Sequence, residues 1–580
     1  MPSRDLILRG GTVFDGTGAP PVRCDVRVRD GRVVSLSTEP VADESARVID
    51  VTGKWVLPGL IDIHTHYDAE VLLNPGLGES IRHGVTTVLM GNCSLSTVCI
   101  EADDAADLFS RVEALPWDVV HTAVKQHKSW DGPASYREAI SAKPLGANVA
   151  ALIGHSDLRV AAMGLGRSVD ADTTPTGAEL DRMREVLREA LDCGFVGLST
   201  IRNTFSKTAG TRYPARVLPS AYASWPEYRA LNAVLREHGA ILQCTPSLTK
   251  PAEVGLFFAQ SAALRRRPLK TTLLAAADIK TNPLATKLIT AATGFVNRRL
   301  KADVRWQHLP VPFELYADGL DLMVLEELGS GAAALDIRDE LDRAKFLASA
   351  DYRQDFKKDC AKKFGPRGWN RDPYDTEIVA CPNPAVLGRS FGQVADERHI
   401  DPTDAMIDLI VEHGSAIRWR TTIANHRPEV LDRLATSPAI QLGFADSGAH
   451  LRNMAFYNAG LRFLKRIHDA DNRGAPIMPL AAAVHRLTGE LADWYGLDAG
   501  TVKLGGRADL TVIDPDGLDD STAAYAEAEF ADISRMVNRN DRAVAATIVN
   551  GHLVHQYGTF IDGLGDTVHA GRFLNSNAGA

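Results

Sequence analysis

The chain has 580 residues, 45% hydrophobic and 24% charged, and a formal net charge of -9. That length excludes a single small domain and suits one large barrel with an accessory module, and the composition is that of a globular protein. The negative balance, with "RRRPLK" at 265–270 as its densest basic run, argues against a nucleic-acid partner.

Taken in order, the N-terminus "MPSRDLILRGGTVFDG" has no apolar h-region or small-residue cleavage site, and no window approaches ~20 continuous apolar residues. Seven irregularly spaced cysteines do not make a disulfide framework and suit a reducing compartment. A cytoplasmic location without membrane contact is expected. "DLILRGGTVFD", "CDVRVRDGRVVSLS" and "ARVIDVTGKWVLPG" alternate apolar and polar residues about turns such as Asp30-Gly31, the pattern of short strands. "GGRADLTVIDP" and "AVAATIVNGHLVHQYG", with its Asn550-Gly551 turn, repeat it near the other end. The expectation is a small β-sandwich domain built from 1–57 and 500–580, interrupted by a large domain over 58–499.

The middle repeats a strand-then-helix rhythm, the mark of parallel α/β architecture. Candidate strands are 60–68, 86–94, 148–156, 194–200, 240–246, 269–277, 303–310 and 440–448, which predicts a (β/α)8 TIM-like barrel. "TGAELDRMREVLREALDCG" is the clearest helix, with Gly194 past its end. The long interval at about 320–438 reads as a lid-like insertion shaping a substrate pocket. The tail "NSNAGA" reads as frayed.

In such a barrel the reactive residues stand at the C-terminal strand ends. His64 and His66 end the first strand, and period-2 geometry turns both toward the mouth, where two imidazoles can hold one divalent cation. Cys93 ends the second strand and offers a soft thiolate that suits zinc. Asp446 ends the eighth in "GFADSGAH"; a carboxylate there can touch the metal, take a proton from water activated at neutral pH, and hand it to the leaving group. Cys244 and His308, ending the fifth and seventh strands, are candidates to complete the metal shell. For His155 in "IGHSDLR" two readings stand, substrate contact with oxyanion support or a structural hydrogen bond. His450 either lines the site or lies on the helix that follows. Lys280 is a candidate partner for a substrate carboxylate, against the ordinary alternative of a solvated lysine.

Together "LILRGGTVFDGTG", "VLPGLIDIHTHYD", "HGVTTVLMGNCS", "IGHSDLR", "GFVGLST", "FADSGAH" and "GGRADLTVID" resemble the amidohydrolase superfamily, most closely its N-acyl-D-amino-acid deacylase (D-aminoacylase) branch. The resemblance implies a metal-dependent barrel with a terminal β-sandwich and zinc, one or two ions, held by His64, His66, Cys93 and Asp446, with Asp446 as acid and base. It implies hydrolysis of the amide of a small N-acylated amino acid or related small-molecule amide. The fourth strand, "GFVGLST", has no lysine, which agrees with a branch that does not bridge its metals with a carboxylated one. The histidines that the branch carries at the fifth and sixth strands are absent from "QCTPSLTK" and "LLAAADIK". That departure keeps open a single metal acting on a cyclic amide, carbamate, ester or C–C bond, and a non-catalytic binding protein as a third reading. A homo-oligomer is compatible with such a barrel, and no interface is legible.

Overall fold

A computed structural model describes residues 5–41, 45–247, 250, 252–263, 266–362 and 368–576. All eight candidate strands are present: β1 (Leu60–Asp62, continued by His64–Thr65), β2 (Val85–Met90), β3 (Asn148–Gly154), β4 (Gly197–Ile201), β5 (Ile241–Thr245), β6 (Lys270–Leu274), β7 (Asp303–His308) and β8 (Ile440–Leu442, continued by Phe444–Ser447). They pair in parallel in chain order. The circle closes where the outer end of β8 pairs with that of β1, Phe444 opposite His64. The chain is thus an α/β protein with a TIM-like (β/α)8 barrel. Strands β2, β3 and β4 are buried along their whole length, as expected where one face meets the barrel lumen and the other a layer of helices.

Local signals set the spacing of the elements. The helix Gly177–Asp192 starts at a capping box, Thr176 with Glu179, and stops before Gly194, whose φ of +92° suits glycine. Gly91 (φ +76°) ends β2 where an added Cβ would lie 2.0 Å from the Leu152 carbonyl oxygen, so only glycine lets β2 and β3 approach at the mouth.

Strands from both ends of the chain form one nine-stranded sheet. Leu510–Ile513 inserts beside Trp55–Pro58, and Val544–Val549 and His552–Gln556 follow outward. Its own apolar core joins Leu6, Leu8, Val26 and Val56 to Leu510, Val512 and Ile548. Two parts of the C-terminal segment leave this sheet. The hairpin Tyr525–Phe530/Ile533–Asn538 reaches the barrel mouth, where Met536 N donates to Leu451 O at 2.7 Å. The tail runs back along the barrel, with Phe573 bridging Val149 and Ser576 N donating to Gly194 O. The expectation of a frayed tail from 575 therefore fails for Ser576, which this contact holds, while 577–580 lie outside the described residues.

Between β7 and β8 the chain builds a subdomain with its own core, including Leu315, Trp369, Trp419 and Phe391. Its antiparallel sheet joins Phe313–Asp318, Arg418–Ala424 and Glu377–Ala380. Among the described residues no helix is long and apolar enough to cross a membrane.

Two histidines lie at the seam between barrel and terminal sheet. His83 and His555 are buried, and burial pushes both down to about 4. Each stays neutral when folded but takes a proton near 6.5 when unfolded. The stability that each neutral ring contributes is full above pH 6.5 and is lost as pH falls toward 4. Thermal melts should therefore show the melting temperature dropping across that window, with a shallower drop in His83→Asn. An equally steep drop in the variant would contradict this.

Candidate metal centre

At the mouth of the barrel β1 presents His64 and His66 on one face. His64 Nε2 lies 3.4 Å from Cys93 Sγ and 3.5 Å from Asp446 Oδ1. His66 Nε2 lies 3.1 Å from the same Oδ1. One ligand atom each from His64, His66 and Cys93 falls within 4.8 Å of the others, the only such group of three or more histidine, cysteine or acidic residues among the described residues. Tetrahedral donors with bonds of ~2.0–2.3 Å to a zinc-like ion stand about 3.3–3.8 Å apart, so the spacing fits one shared cation. Two imidazoles and a thiolate found together, with the Asp446 carboxylate against the imidazoles, are chemistry that suits a borderline-soft ion.

The surrounding backbone holds this convergence. Asp62 Oδ1 accepts from His64 N at 3.1 Å and Ala445 N at 3.3 Å, and Oδ2 accepts from Ser447 Oγ at 2.8 Å, so one buried carboxylate clamps β1 to β8. Asn92 donates to Thr65 O and Leu89 O, fixing the turn that carries Cys93. Cys93 (φ +51°), Ser94 (φ +71°), Asp446 (φ +56°) and His450 (φ +49°) all occupy the left-handed region. Such conformations cost about 1–3 kcal/mol each in non-glycine residues and persist where the surroundings impose them.

The charges are mutually dependent. Burial opposes the Cys93 thiolate, but the His64 and His66 rings outweigh it and bring the thiol down to about 6. Burial likewise opposes the Asp446 carboxylate, and His66, then His64, hold it down at about 2. Burial disfavours a protonated His66, yet Glu113, Asp446 and Cys93 raise its pKa well above the ordinary value. His64 and His66 are sealed from solvent, whereas the Asp446 side chain is 15% exposed.

Two metal-shell candidates do not join the group. Cys244 and His308 are each one residue out of register with the lumen. On β5 it is Gln243 and Thr245 that face the site: Gln243 Oε1 accepts from Cys93 N at 3.1 Å, and Thr245 Oγ1 lies 3.4 Å from Cys93 Sγ. Alternation turns Cys244 to the other face, toward Tyr228 and Arg202. On β7 Gln307 faces in, its Oε1 accepting from His64 Nδ1 at 2.6 Å, and His308 pairs through Nδ1 with Ala276 O.

His155 is committed elsewhere. Its Nδ1 meets Thr200 Oγ1 at 3.1 Å and its Nε2 meets Glu227 Oε1 at 2.8 Å, in a buried network completed by Arg159. Both ring nitrogens are occupied, as the structural reading expects. Lys280 is paired with Asp375, tying the loop after β6 to the insertion. His450 is buried beside Asp446; burial pushes its pKa down to about 4 against the pull of that carboxylate, so its ring is neutral. One residue without a motif of its own joins the site: Glu113, just past the helix Ala102–Val112, with Oε1 3.2 Å from His66 Nδ1.

The amidohydrolase family description matches residues 47–237. A protein of Mycobacterium tuberculosis, itself uncharacterized, is 49% identical over 584 positions, 99% of this chain and 96% of its own length. The D-aminoacylase of Alcaligenes xylosoxydans xylosoxydans is 28% identical over 99% of this chain and 98% of its own length. A solved D-aminoacylase, described as having a binuclear metal centre with one-metal activation and second-metal attenuation, superposes with a TM-score of 0.63 at 25% identity, covering 98% of this chain and 99% of its own. The chain belongs to the amidohydrolase family, in its D-aminoacylase-like branch, and is a hydrolase of the class that acts on carbon–nitrogen bonds other than peptide bonds.

Proposed function

We propose that the chain hydrolyses the amide of a small N-acylated amino acid, using one divalent cation, with zinc the best fit, held by His64, His66, Cys93 and Asp446. The observation that carries this reading is the approach of a single Asp446 oxygen to the Nε2 atoms of both His64 and His66. The likeness to D-aminoacylase over the full chain supports the substrate class. When bound, the cation supplies a Lewis acid that polarises the scissile carbonyl and makes water nucleophilic at neutral pH. Asp446 takes the proton of the attacking water and returns it to the departing nitrogen, so an amine leaves rather than an amide anion. The sealed walls around His64 and His66 exclude bulk water and strengthen these interactions.

A single ion is favoured by the ligand inventory. The relative's centre is binuclear, but here the lumen ends of β5 and β7 carry Thr245, Gln243 and Gln307, a hydroxyl and two amides. A second reading, an uncharged or cyclic amide as substrate, draws on the cations beyond β4 and β6: Arg202 is paired with Glu253 and Lys280 with Asp375.

Turnover of N-acyl-D- and L-amino acids, neutral amides, cyclic amides, carbamates and esters tests the substrate class; activity on the last three alone would discard it. Asp446→Asn should lower kcat on the best substrate by about 10²–10⁴-fold. Near-normal turnover would remove Asp446 from the proton path. Titration with Cd2+ should saturate at one equivalent per chain, with a thiolate charge-transfer band lost in Cys93→Ser and kept in Cys244→Ser. Two equivalents would rule out the single-ion site.

A further inference from the structure

Glu113 is a carboxylate in a costly place. It is 2% exposed and directly follows the helix Ala102–Val112, so it meets the negative end of that helix, where an acid is disfavoured. The ionisable groups around it are His66, Cys93, Asp446 and His64. Its Oε1 lies 3.2 Å from His66 Nδ1, an ion-pair distance without hydrogen-bond geometry, and both buried atoms are otherwise without a hydrogen-bond partner. Nothing in the packing of the helix calls for a charge at this point.

We propose that Glu113 is the outer partner of His66, a positioning residue of the metal centre; this rests on the metal-site reading above. The carboxylate holds the His66 proton on Nδ1. That leaves the Nε2 lone pair on the side of Asp446, where the cation is assigned. Gln307 does the same for His64, accepting from Nδ1 at 2.6 Å. The two clamps differ in chemistry, for the amide only orients its ring, whereas Glu113, when ionised, also makes the His66 ring a stronger donor.

Glu113 has a second connection. Its backbone carbonyl accepts from His450 N at 2.6 Å, in the left-handed turn that follows Asp446. One residue of the segment after β2 therefore touches both sides of the β1/β8 seam, His66 by its side chain and the Asp446–His450 turn by its backbone. A side-chain substitution removes the first contact and leaves the second.

The test is zinc affinity, read by competition with a chromophoric chelator, for the wild type, Glu113→Gln, Glu113→Ala and Gln307→Ala. The expected result is a loss of about 10–100-fold in Glu113→Ala, a smaller loss in the isosteric Glu113→Gln, which keeps an acceptor, and little change in the melting temperature of the metal-free protein. A changed visible spectrum of the Co2+ form of Glu113→Gln would further support altered His66 donation. Wild-type affinity in both Glu113 variants overturns the proposal while leaving the metal site standing. So does a loss of metal-free stability without a loss of affinity, since that is a packing role. A wild-type chain that takes up no zinc, or a His66→Ala variant that binds it as tightly, overturns the metal-site reading and this proposal with it.

Discussion

The site depends on the seam where the first and last barrel strands meet. Phe444 pairs with His64 and Ser447 with Thr65, and Asp62 bonds to both strands across 383 residues of sequence. If the barrel did not close there, Asp446 would have no reason to lie 3.1 Å from His66. Barrel closure is what brings Asp446 to the two histidines, and a buried carboxylate with three hydrogen bonds holds that joint.

Around the donors lies a shell of neutral polar groups. Gln243 holds the Cys93 backbone, Gln307 orients His64, and Thr245 lies against the thiolate. These side chains do not titrate, so the titratable groups at the centre are the histidines, Cys93, Asp446 and Glu113. The left-handed conformations at Cys93 and Asp446 aim a thiolate and a carboxylate inward from strand ends that would otherwise continue straight into helices.

The mouth is bordered by parts of the chain distant in sequence. The hairpin from the C-terminal segment buries Arg535 against both oxygens of Glu70, which opens the short helix Glu70–Leu73 after β1, and packs Tyr525 edge-on to Tyr316 of the insertion. Arg452, just past the site, pairs with Asp318 of the insertion and Glu527 of the hairpin. The C-terminal hairpin, the insertion and the barrel are therefore joined at the same rim.

Much of this was legible in the sequence, because the signals are local. Eight apolar runs with helical intervals specify the barrel, and His64-x-His66 on one strand face is a pattern that alternation alone makes meaningful. Strand register was not legible at β5 and β7. Cys244 and His308 are chemically attractive, but one residue of register turns each to the helix side and brings Gln243, Thr245 and Gln307 inward. Glu113 was invisible for a related reason: its partner is distant in sequence, and its own surroundings read as an ordinary helix end. The sequence by itself determined the strand rhythm and which residue types could bind a cation, since both follow from short-range periodicity. Only the tertiary structure decided which side of each strand met the lumen and which distant acid reached His66, since those follow from closure of the barrel and the packing around it.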